Sequence, residues 1–202
     1  MTWETGSSSF DEPVSGPGEL EPIELVGTHL RLTGFIGLGR FGRLTDLVNA
    51  SSGYIHVHDA RLLRRNGDPT SLVLPELMVD QDEISFIAQR EDRDPDSLVP
   101  TGFIEDKFAP NVETRKAREF VMFTPGHTVT GKVYIFGQTD LAGFVDASDP
   151  RFVPVKEVTT RSLADRRIIS HYPFLLINRT QMIAASEIGR TGDIAAEDVP
   201  EL

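Results

Sequence analysis

The chain has 202 residues, 39% hydrophobic and 8% aromatic, with no cysteine and with 31 Asp and Glu against 20 Lys and Arg for a net charge of −11. That balance excludes a fibre, a wholly disordered chain and a disulfide scaffold, and without cysteine there is neither a thiolate metal site nor a cysteine nucleophile. No run approaches the roughly 18 consecutive apolar residues of a membrane helix, and the start of the chain has neither the basic nor the apolar region of a secretory signal, so a soluble cytoplasmic protein without a membrane span is expected.

The charge sits largely at the ends. Residues 1–22 hold five acids and no base, and residues 188–202 hold four acids and one arginine, which leaves −3 on the residues between. Both ends are rich in Gly, Ser, Pro and acids and cannot offset the entropy of ordering, so 1–24 and 188–202 are expected to be disordered acidic tails. Residues 25–92 read as a small β unit. Leu30–Ile36 alternates as a strand, Leu44–Val48 has the spacing of a short helix, and Tyr54–Leu63, Leu72–Val79 and Ile84–Ala88 read as further strands. The charged stretch Arg90–Ser97 opens a linker over 93–117, in which Phe103, Ile104 and Phe108 indicate a packed part. Residues 118–187 form a second unit. Phe120–Phe123 and Val129–Phe136 read as strands joined at Pro125-Gly126, Asp140–Asp146 as one or two helical turns, and Phe152–Thr160, Ile168–Ile177 and Gln181–Ala185 as strands.

The two units match residue by residue. At an offset of 97, Thr33-Gly34 meets Thr130-Gly131, Leu44 meets Leu141, Val48 meets Val145 and Ala50-Ser51 meets Ala147-Ser148. After one inserted residue, Tyr54-Ile55-x-Val57-x-Asp59 meets Phe152-Val153-x-Val155-x-Glu157, and Pro75-x-Leu77-Met78-Val79-Asp80 meets Pro173-x-Leu175-Leu176-Ile177-Asn178. Such ordered agreement reads as a tandem duplication. Short, bent strands with one short helix fit a small closed barrel, because closure removes exposed edges. The predicted fold is therefore mainly β: two tandem barrels, each of about five strands.

Arg43-Leu44-Thr45-Asp46-Leu47-Val48-Asn49 followed by Tyr54-Ile55-His56-Val57-His58-Asp59-Ala60 resembles the recurring pattern of a bacterial family of small β domains, a domain of unknown function. The second copy departs from it, with Asp146 at the final Asn and Glu157-Val158 at Asp-Ala. More distantly, the order of elements and the ending Leu175-Leu176-Ile177-Asn178-Arg179-Thr180-Gln181-Met182-Ile183 resemble an Sm-type, SH3-like barrel. The resemblance implies a fold and no established activity.

Three groups of residues are candidates for chemistry. Gly37, Gly39 and Gly42 form a G-x-G-x-x-G that follows a strand and precedes a helix, with Asp59 beyond it, which is the pattern of a dinucleotide site. The segment after Gly42 is short, no βαβ alternation follows, and the second copy keeps at most one of the glycines, so a turn is the stronger reading. His56 and His58 share one face of a strand and could present two imidazoles to zinc, but the second copy has Pro154 and Lys156 there. Arg40, Arg43, Arg61, Arg64 and Arg65 could form a patch for phosphates or another anion, though salt-bridged solvent faces explain arginines more often.

The duplication repeats no reactive residue, and no G-x-S-x-G nucleophile elbow is present. The expected function is non-enzymatic and without a cofactor: an interaction or assembly module that binds a protein partner, or itself, through barrel edges and the groove between copies. Anion or nucleic-acid binding through the arginines is the alternative, with nucleic acid disfavoured by the acidic balance, and nucleotide binding at Gly37–Gly42 comes third.

Overall fold

The first strand begins inside what its charge suggests is tail. The computed structural model describes residues 19–64, 67–90, 115–136, 141–146 and 150–188. In it β1 (Leu20–Gly27) carries Ile23 and Leu25 fully buried. Glu24 between them is buried as well, because its Oε1 accepts the Arg31 Nε–H at 2.6 Å. Residues 20–24, expected in the acidic tail, thus belong to the fold. Similarly β6 (Arg115–Thr124) starts within the expected 93–117 linker. Apart from Glu19 and Ile188, whose backbones bond to Leu38 and Glu119, the rest of the expected tails and linker lies outside the described residues.

The first half continues with β2 (Arg31–Gly37), α1 (Leu44–Ala50), β3 (Tyr54–Leu63), β4 (Pro69–Asp80), a 3-10 turn at Gln81–Glu83 and β5 (Ile84–Gln89). The second half is β6, β7 (His127–Phe136), α2 (Leu141–Asp146), β8 (Phe152–Ser162), β9 (Ile169–Asn178), a 3-10 turn at Arg179–Gln181 and β10 (Ala184–Glu187). Alternation sets the strand faces: in β2, Leu32, Gly34 and Ile36 are buried while their neighbours are half-buried. In β3 the buried set steps from Ile55 and Val57 to Ala60, because Asp59 takes φ +48° at an irregularity opposite β2. Glu157 does the same in β8 at φ +52°. Each irregularity is crossed closely by a glycine of the preceding strand. A Cβ on Gly34 would stand 2.6 Å from Val57 Cγ1 and 2.8 Å from His58 O, and one on Gly131 would stand 2.7 Å from Val155 Cγ1 and 3.0 Å from Lys156 O.

The described strands form one antiparallel sheet in the order β10-β6-β7-β8-β9-β5-β1-β2-β3-β4. Each half keeps the same internal order. In place of two separately closed barrels, the expectation from sequence, the pairing gives a mainly β fold with a single sheet that is not closed. β5 is the reason: it pairs β1 on one side and β9 of the other half on its second side. Two core clusters result, and each is completed by the other half. Phe152 and Leu176 enter the first cluster, while Val26, Phe86 and Ala88 enter the second. No helix among the described residues is long and apolar enough to cross a membrane.

Candidate functional site

Matching strands in a sheet with two free ends allow the junction between the halves to be compared with the outer edges. At the junction Phe86, Ile87 and Ala88 pair Ile177, Leu176 and Leu175. Asn49, in the last turn of α1, donates from Nδ2 to Phe152 O at 2.9 Å and accepts the Phe152 N–H on Oδ1 at 2.8 Å. Asn178, at the end of β9, is fully buried and donates from Nδ2 to Gln81 O at 2.9 Å and Ile84 O at 2.8 Å. Arg151 reaches the Asp82 carboxylate, and the Gln181 amide donates to Asp82 O.

A polar knot lies under the same junction. Arg31 and Glu24 pair there, and the Tyr172 hydroxyl joins them; burial first, then the Glu24 carboxylate, pushes its pKa up to about 12. Burial pushes the His127 imidazole below its ordinary range, and the Arg31 charge acts the same way. Its ring stands edge-on to Phe86 with centroids 5.5 Å apart, and its buried Nδ1 has no hydrogen-bond partner among the described residues.

Among the described residues the outer edges, β4 and β10, are each paired on one side only. Residues that the junction covers in one half stand bare in the other. Phe152 and Leu176 are 0% exposed, whereas Tyr54 and Met78 at the matching positions are each 53% exposed. Beside Met78 a cavity of about 280 Å³ opens between Leu25, Leu30, Val79, Asp80 and Glu83.

The residues singled out in the sequence are dispersed. Gly37 ends β2, Gly39 has φ +57°, and a Cβ on Gly39 or Gly42 would meet nothing within 4 Å. The strand after α1 is the antiparallel neighbour of β2, so the parallel crossover that a dinucleotide site requires is missing, and the left-handed Asp59 belongs to the irregularity in β3. His56 and His58 do lie on one face, with His56 Nδ1 2.9 Å from Glu76 Oε1 on the exposed surface. No group of three or more His, Asp or Glu among the described residues could hold a metal ion. Arg40 packs over the Phe41 ring at 5.2 Å, and Arg43 occupies the N-cap position of α1 without a side-chain capping bond. Arg61 lies near the end of β3 and Arg64 just beyond it, and Arg61 lines a cleft of about 280 Å³ with Arg31, Arg90 and Glu24. Arg40 and Arg43 thus lie near one end of β3 and Arg61 and Arg64 near the other, with Arg65 outside the described residues.

Sequence reasoning missed Asn49, Arg151 and Asn178. The available signal was their replacement in the other half by Asp146, Gly53 and Asp80. A scan against models of known families and searches of curated proteins and of solved structures found no match to this chain.

Proposed function

We propose that the chain is a non-enzymatic interaction or assembly module, in which two SH3/Sm-like halves, akin to the bacterial small β domains their motif resembles, are fused through β5 and β9 and take up a protein partner at the unpaired edges. The observation that supports this is the apolar surface left bare at Tyr54 and Met78, whose counterparts the junction buries completely. An unpaired strand flanked by apolar side chains is a template for strand addition. A photo-crosslinking residue at Met78 is expected to give a discrete protein adduct in the host cell, while one at the exposed Arg166 gives none. Absence of any adduct at Met78 would remove the reading.

The cleft lined by Arg31, Arg61 and Arg90, in which Glu24 pairs with Arg31, supports anion binding as a second reading. Phosphate contacts release counterions, so RNA bound there would dissociate as salt rises and would be lost in Arg61→Ala.

A further inference from the structure

We propose that the β4 edge docks an extended strand of a protein partner that sets an aromatic side chain opposite Val79, an aliphatic one opposite Met78, and hydrogen-bond donors against Asp80 and Glu83. This gives the partner chemistry of the edge described above and rests on that reading.

The second half displays the occupied form of the site. There the aromatic is Phe86, opposite Ile177 and 1% exposed, with its ring against His127 and, at 6.4 Å between centroids, Tyr172. The residues of the first half that match Met122, His127, Ile177 and Asn178 are Leu25, Leu30, Val79 and Asp80. Those four line the open cavity of about 280 Å³. The first half thus has an open cavity where the second half sets Phe86 against His127 and opposite Ile177, while Leu74, the match of Tyr172, lies outside its lining. Cavities of roughly 150 Å³ with aliphatic walls accept benzene, so the space suffices for an aromatic ring. Val79 is 5% exposed and faces the core, so a residue paired with it points into the cavity. Met78 faces outward beside Tyr54.

A second copy of the chain does not meet these requirements. Its free strand β10 offers Ala184 where β5 has Phe86, and Ala185 where β5 has Ile87. The amides that donate across the junction, Asn178 and Gln181, are matched at the edge by Asp80 and Glu83, and Asn49 is matched on the opposite edge by Asp146. Carboxylates only accept. A second copy would bring the carbonyls of Arg179, Met182 and Thr180 against Asp80 and Glu83, which leaves acceptors facing acceptors at a cost no amide would incur. A partner with amide, N–H or cationic groups there removes that conflict.

The probe is a fluorescent peptide with the β5 sequence Ser85–Arg90 preceded by two lysines, titrated into the full chain and followed by anisotropy. Saturable binding is expected. It should weaken at least tenfold when the peptide phenylalanine becomes alanine, when Met78→Lys is made on the exposed edge, or when Leu30→Phe narrows the cavity, with native circular dichroism in each variant. Glu83→Lys should weaken the lysine-flanked probe specifically. The proposal fails if the peptide does not bind, if its alanine form binds equally well, or if a peptide of β10, Ile183–Ile188, binds as tightly. Continued crosslinking at Met78 alongside a failed titration would leave the assembly reading standing and discard this partner, whereas failure of both would discard both.

Discussion

Asn49 and Phe152, 103 residues apart in the chain, exchange two hydrogen bonds, one at 2.9 Å from the side chain and one at 2.8 Å to it. An amide is the one side chain that can both donate and accept in this geometry. Asn49→Ala strands both backbone groups and is expected to cost about 1–3 kcal/mol. Asn49→Asp keeps the acceptor but turns a carboxylate toward Phe152 O, so it should cost at least as much. The exposed counterpart, Asp146→Asn, should change stability by less than about 0.5 kcal/mol. Urea midpoints for the three variants provide the comparison.

The reciprocal cores make a second test. Phe86→Ala removes a ring from the second cluster although β5 belongs to the first half, and is expected to cost about 3–5 kcal/mol. Because each cluster needs the other half, the full chain should unfold in one transition by calorimetry, and residues 115–188 alone should be far less stable. Two resolved transitions would show that the halves fold independently.

Glycine substitutions should rank by geometry. Gly34→Ala meets the His58 carbonyl at 2.8 Å, a backbone atom that cannot swing away, and should cost about 1–3 kcal/mol. Gly39→Ala has room but a φ of +57°, worth roughly 1–2 kcal/mol. Gly42→Ala meets neither obstacle and should be neutral or stabilising by a few tenths of a kcal/mol. A loss at Gly42 as large as at Gly34 would call for a ligand or contact that the turn lacks.

His127 sets a pH dependence whose sign is fixed by its direction of shift. The folded imidazole sits below its ordinary range, so below about pH 6.5 the unfolded chain binds the proton more readily. The contribution is therefore complete above that pH and is lost as the pH falls toward the folded value. His127→Leu, which installs the residue found at the matching Leu30, should flatten the stability difference between pH 7.5 and 5.5. An unchanged slope would place the titrating group elsewhere.

The β character, the order of the elements and their recurrence were readable because alternating apolar residues and the Thr-Gly pairs at 33–34 and 130–131 report local geometry. β1 was harder to see. Pro22 and the two glutamates of β1 read as tail, and it is Arg31, seven residues on, together with the Tyr172 hydroxyl, that makes Glu24 tolerable in the interior. The merging of the halves was not legible, since nothing in Ile84–Gln89 itself says that its second side will meet a strand some 90 residues away. The candidate arginines scattered for a related reason: Arg40 and Arg43 precede β3 while Arg61 and Arg64 stand at its far end, so nearness in sequence spans the length of an extended strand.

The exchange of core residues also has a consequence in time. When the first half leaves the ribosome, the second side of β5 and the Phe86 ring have no cover until β9 follows. With synthesis at about 5–20 residues per second, the 88 residues from Glu91 through Asn178 take roughly 4–18 s to arrive. During that interval the nascent chain carries a sticky, strand-ready face, a window in which chaperone capture or pairing between neighbouring nascent chains competes with completion of the fold.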